Sequence, residues 1–152
     1  MKNFFTVIFI SVLIACASIN VFEKDAFFPN HIWSANYEPS FSFTISDTSS
    51  LYNFFIVLRH TDAYQYNNIW LNVTTIAPGD TAQTQQLNLK LGDNTKGWLG
   101  SAMDDIIEHR ILITRNPVKL KKGNYTFILQ QIMRHDDLPN ILNAGIYIQK
   151  IQ

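Results

Sequence analysis

From Val21 onward the apolar residues recur at every second position or in short unbroken runs, and nowhere at the i, i+3, i+4, i+7 spacing of an amphipathic helix. A chain patterned this way is confined to β-structure. Phe41, Phe43 and Ile45 alternate with Ser42, Thr44 and Ser46, as in a strand with one face in the core and one in water, and Asp47-Thr48-Ser49-Ser50 ends it. Residues 51–58 and 69–76 are apolar at most positions, so both read as strands covered on both faces, with residues 61–68 as a long hairpin loop between them. Leu87, Leu89 and Leu91 alternate with Asn88 and Lys90, between turn signals at Pro78-Gly79-Asp80 and Gly92-Asp93-Asn94. Residues 103–108 fit either a helical turn or a strand. Residues 110–114, 125–133 and 145–151 read as strands, with a turn at Lys122-Gly123-Asn124. Parallel strands need long crossover helices, and none is predicted. The expected fold is therefore all-β, an antiparallel two-sheet β-sandwich or jelly roll of about eight strands, with a closed barrel as second choice.

The 152 residues suffice for one compact domain, and an apolar fraction of 47% provides a core for it. Twelve basic and twelve acidic residues leave no net charge, and the one tight basic cluster, Lys119, Lys121 and Lys122, lies before Gly123 as a solvated turn would. Nucleic acid is thus not an expected partner, since phosphate contacts require clustered Lys and Arg.

Met1-Lys2-Asn3 followed by an apolar run at residues 4–14 has the layout of a secretion signal, and the run is too short to span a bilayer. Leu13-Ile14-Ala15-Cys16 then matches the lipobox of bacterial lipoproteins, in which the peptidase cuts before the cysteine and its thiol carries diacylglycerol. Ala15-Cys16-Ala17 also satisfies an ordinary secretory cleavage before Ser18, and a buried structural cysteine is a third option. The expected division is a signal peptide at 1–15, a lipid-anchored tether at 16–28 and the β-sandwich at 29–152. Two or three acyl chains anchor durably where one does not, so Cys16 is the expected membrane contact.

No enzyme chemistry is expected. The four histidines, His31, His60, His109 and His135, lack zinc-type spacing, and there is no GxSxG elbow, P-loop or GxGxxG. Asp104, Asp105, Glu108 and His109 would converge only on a helix, and Asp136-Asp137 reads as a turn before Pro139. No metal and no cofactor is predicted.

Arg59, His60, Tyr64, Tyr66 and Asn68 form the richest polar and aromatic cluster, on the loop between two apolar strands, and are the candidate partner-binding residues. The favoured alternative is that the same tyrosines cover a sheet end, with Arg59 capping a carbonyl or pairing with an aspartate. Exposed tryptophans on a sandwich would favour a glycan-binding surface protein instead. Core packing is the expectation for Trp33, Trp70 and Trp98, for Trp70 inside its strand above all, and only Trp98, beside two glycines, is a candidate for an exposed platform. The sequons at Asn72-Val73-Thr74 and Asn124-Tyr125-Thr126 carry little weight in a bacterial exporter.

An ordered series of segments resembles the GldH-like gliding-motility lipoproteins of the Bacteroidetes. It comprises Val21-Phe22-Glu23-Lys24, Trp33, Phe41-Ser42-Phe43-Thr44-Ile45 with Asp47, Tyr52-Asn53 through Leu58-Arg59-His60-Thr61, and Tyr64-Gln65-Tyr66-Asn67-Asn68. It continues with Ile69-Trp70-Leu71, Gly97-Trp98-Leu99-Gly100, Gly123-Asn124-Tyr125-Thr126-Phe127, Gln131-Ile132-Met133-Arg134 and residues 138–145. Ala102 and Ala144 depart from the pattern. The resemblance implies an outer-membrane lipoprotein of the gliding machinery, linked to type IX secretion, with other envelope proteins as partners. It implies no catalytic activity and no functional residue besides Cys16.

Overall fold

The computed structural model describes residues 21–151; the expected signal peptide at 1–15 and the expected lipidation site Cys16 lie outside the described residues. In chain order the strands begin with β1 (Val21–Phe27), β2 (Ile32–Ser34), β3 (Ser40–Ile45), β4 (Leu51–Thr61) and β5 (Asn68–Ile76). They continue with β6 (Gln83–Lys90), β7 (Gly92–Asp93), β8 (Gly97–Trp98), β9 (Ser101–Met103) and β10 (Ile106–Leu112). Next come β11 (Val118–Lys119), β12 (Gly123–Gln131), β13 (Asp137–Pro139) and β14 (Ile141–Ile151). Eight of these, β1, β3, β4, β5, β6, β10, β12 and β14, are six residues or longer, which is the expected number although β1 was not among the expected strands.

All pairings are antiparallel. One sheet runs β1-β14-β4-β10-β9, with β11 on β4, and the other runs β3-β12-β5-β6. Alternation sets which residues face inward. Phe41, Phe43 and Ile45 of β3, Tyr125, Phe127 and Leu129 of β12, and Ile69, Leu71 and Val73 of β5 are all buried. They join Ile56, Leu58, Ala144, Ile146 and Ile148 of the first sheet in one core cluster. The edge-to-face pair Phe54–Phe127, with centroids 5.2 Å apart, is a direct contact between the sheets. A side chain such as Phe127, buried to 1% exposure, would leave a cavity costing about 3–5 kcal/mol if truncated to alanine.

The structure departs from the sequence reading at three places and decides a fourth that was left open. Residues 21–27, assigned to the tether, are strand β1, paired with β14 from Val21↔Gln149 to Phe27↔Asn143. The stretch escapes pattern reading because Lys24 occupies an inward register position: its Nζ donates to the Ser42 carbonyl and lies 5.2 Å from the Phe43 ring, closing the edge between the sheets. Residues 103–108 form the β9–β10 hairpin, turned by Asp104 at φ 54, a left-handed conformation that aspartate tolerates. β4 continues to Thr61, so the connection to β5 starts later than expected. Finally, Trp70 faces outward at 38% exposure, because Ile69, Leu71 and Val73 take the inward positions of β5.

Candidate functional site

The sequence-predicted residues Arg59, His60, Tyr64, Tyr66 and Asn68 do not form one surface. Adjacent positions in a strand point to opposite faces, so Arg59 and His60 at the end of β4 are separated by the sheet itself. His60 is fully buried, and its Nε2 lies 2.9 Å from Nε2 of His109, which faces inward from β10. The His60 Nδ1–H donates to the Thr61 carbonyl at 2.7 Å, which leaves Nε2 as the acceptor. The His109 Nε2–H therefore donates to it. Burial, with the neighbouring His60 adding to it, pulls His109 down to about 4, and burial also lowers His60. Both imidazoles are neutral at pH 7.

Aromatic rings surround this pair. Trp98 stands edge-on to His60 at 4.4 Å and Tyr64 lies at 5.2 Å. Tyr64 is 4% exposed, and its hydroxyl donates to the Asn68 carbonyl at 3.1 Å. The Trp98-Leu99-Gly100 step brings backbone against the pair: a Cβ on Gly100 would lie 2.9 Å from His109 Cε1 and 2.8 Å from Ile107 Cγ2. Thus His60, Tyr64 and Trp98, one candidate after another, are packing residues. Trp98 is not an exposed platform.

Arg59 lies on the opposite, outer face. Its Nε donates to Glu108 at 2.7 Å and Nη1 to Asp25 at 2.9 Å, with Glu23 at 3.6 Å. Arg110 completes the network with bonds of 2.9 Å to both Glu23 and Glu108, and its guanidinium covers the Tyr147 ring at 5.0 Å. Partial burial pushes the Glu108 carboxyl up, but the two arginines outweigh it and hold it below the usual range. Glu108 and His109 thus occupy opposite faces, which dissolves the oxygen-and-imidazole set that a helix would have assembled.

Tyr66 and Asn68 contribute to a third place, a groove of about 640 Å³ on the outer side of the second sheet. Its remaining lining is Trp70, Gln86, Ile132, Met133, Arg134 and His135. The wall at 132–136 is held by Gln131, whose fully buried side-chain amide donates to the carbonyls of His135 at 3.1 Å and Asp136 at 3.0 Å. Its Oε1 accepts the Met133 N–H at 2.9 Å. The base is fixed by β5, where the Ile132 N–H donates to the Trp70 carbonyl at 3.0 Å. Gln131 entered the sequence reading only within the Gln131-Ile132-Met133-Arg134 segment of the family resemblance, and the groove was not expected; the outward step of Trp70 between Ile69 and Leu71 was the available signal.

The model of the GldH lipoprotein family matches residues 20–148, from the residue before β1 to the last strand. The chain belongs to the GldH lipoprotein family. It is 26% identical over 127 residues to the gliding motility lipoprotein GldH homolog of Christiangramia forsetii, covering 79% of this chain and 78% of that one. With gliding motility lipoprotein GldH of Flavobacterium johnsoniae it shares 25% over 125 residues, covering 78% and 77%. Among solved structures it is similar to the VP2 subviral particle of infectious bursal disease virus, at TM-score 0.42 and 15% identity, covering 87% of this chain and 32% of that one. The chain spans about a third of the VP2 protein. As a GldH lipoprotein, the protein belongs to a family associated with gliding motility and with the cell envelope.

Proposed function

We propose that this GldH-family lipoprotein is held at the outer membrane by acyl chains on Cys16 and serves as a structural or adaptor part of the gliding machinery, linked to type IX secretion. The observation that carries this reading is the extent of the family match: residues 20–148 include all of the strands of the sandwich except the last three residues of β14. The unit shared with relatives named for gliding motility is the folded body as a whole. Of the segment around the expected binding loop, Arg59 is engaged in ion pairs and His60 and Tyr64 in packing, so contacts with other envelope proteins fall to Tyr66, Asn68 and the outer sheet faces. A bond-making role has no counterpart in the names of these relatives.

Deletion of the gene in its native bacterium tests the proposal directly. Loss of colony spreading together with a reduced set of secreted proteins, both restored by the wild-type gene, is the expected result. Normal spreading and normal secretion in the deletion strain reject it.

A further inference from the structure

The two outer faces of the sandwich differ in kind. That of the first sheet is charged, with Glu23, Asp25, Arg59, Glu108 and Arg110 satisfying one another. Across the second sheet, register places hydroxyls and amides side by side: Ser42 and Thr126 hydrogen-bond at 3.2 Å, Asn72 and Gln130 at 3.0 Å, Thr74 and Thr84 at 2.7 Å, and Asn68 and Asn88 at 2.8 Å. This ladder is uncharged along β5 from Asn68 to Ile76, and it ends in the groove, where the exposed Trp70 stands between Asn68 and Gln86 beneath the wall carrying Arg134.

From this arrangement we propose that the groove binds a saccharide chain bearing a carboxylate. Pyranose rings present an apolar C–H face, which an aromatic ring such as Trp70 covers, and a rim of vicinal hydroxyls, which amides meet as both donor and acceptor. Asn68 and Gln86 line the groove together with Trp70, Asn68 giving one amide hydrogen to Asn88. The acidic character of the sugar follows from charge. No Asp or Glu lines the groove, and Arg134, exposed on its wall, enters no ion pair among the described residues, in contrast to Arg59 and Arg110. A guanidinium free to accept a carboxylate in a two-pronged geometry selects an anionic ligand over a neutral one. The volume of about 640 Å³ suits a short stretch of sugar units.

The test uses the full-length lipoprotein in detergent micelles against a panel of neutral and carboxylate-bearing oligosaccharides, including galacturonate, glucuronate and sialic acid types, followed by titration calorimetry on those that bind. The expected result is saturable binding of at least one acidic member, weakened roughly tenfold in Trp70→Ala but not in Trp70→Phe. In Arg134→Gln the preference for the acidic over the matching neutral saccharide should disappear. Unchanged thermal unfolding of the variants excludes a folding defect, and Lys122→Ala serves as a charge control away from the groove. Binding to no acidic saccharide overturns the proposal. So does binding that survives Trp70→Ala and Arg134→Gln, or a polyglutamate peptide of equal charge binding as tightly in competition. The adaptor reading is judged by spreading and secretion and stands or falls separately.

Discussion

The core tolerates His60 and His109 because they hydrogen-bond to each other. Their neutrality has a pH consequence. The unfolded chain takes up a proton on His109 below about 6.5, whereas the folded protein resists until about 4. The unfolded state therefore binds more protons over that interval, and stability falls as pH drops from 6.5 towards 4, by up to roughly 3 kcal/mol from this group. Thermal unfolding followed at several pH values should show this loss, and His109→Leu should flatten the slope across the same interval even though its midpoint is lower throughout. A wild-type midpoint that is constant from pH 7 to pH 4 would contradict the buried neutral pair. The same residues show what sequence reading captures at this scale. The concentration of Arg59, His60, Tyr64, Tyr66 and Asn68 was visible, but the alternation within β4 that sends Arg59 out and His60 in was hidden by a run apolar at nearly every position.

Among the elements, those with clean alternation were legible: β3 and the last part of β6 lie where Phe41, Phe43, Ile45, Leu87 and Leu89 predicted them. β1 was not, since its inward register positions hold Phe22, Lys24 and Ala26, a mixture that no hydrophobic pattern reports. What fixes β1 against the sheet is instead a glycine on its neighbour. Gly145 in β14 lies so close to Asp25 that an added Cβ would sit 2.6 Å from its Cα, and backbone cannot yield as a flexible side chain does. Gly145→Ala should therefore push β1 away, with a destabilisation of about 1–3 kcal/mol and faster amide exchange concentrated in residues 22–27. Exchange spread evenly over the sandwich, or unchanged, would show that β1 is not held at this point. The groove was illegible for a related reason: its wall depends on side-chain bonds from Gln131 to carbonyls four and five residues on, made by one amide in a strand that otherwise alternates as expected.

For the molecule as a whole, fold class and family were both readable, because an all-β domain advertises itself through period-two patterning and the family through the order of its segments. The distinct characters of the two outer faces were not, as they arise only when register aligns residues from four strands. At this scale the anchor is the matter to test: Cys16→Ser should shift the protein from the membrane fraction to the soluble one and abolish acyl labelling. Persistent membrane association with no lipid label on the wild type would refute acylation there.

The early start of β1 changes the mechanics of such an anchor. With lipid on Cys16, only five steps of chain separate the attachment point from Val21, at most about 18 Å even when fully stretched. A pull directed along the axis of β1 would load its rungs with β14 together instead of parting them one by one like a zipper. A body tethered in this manner would follow the bilayer with little slack.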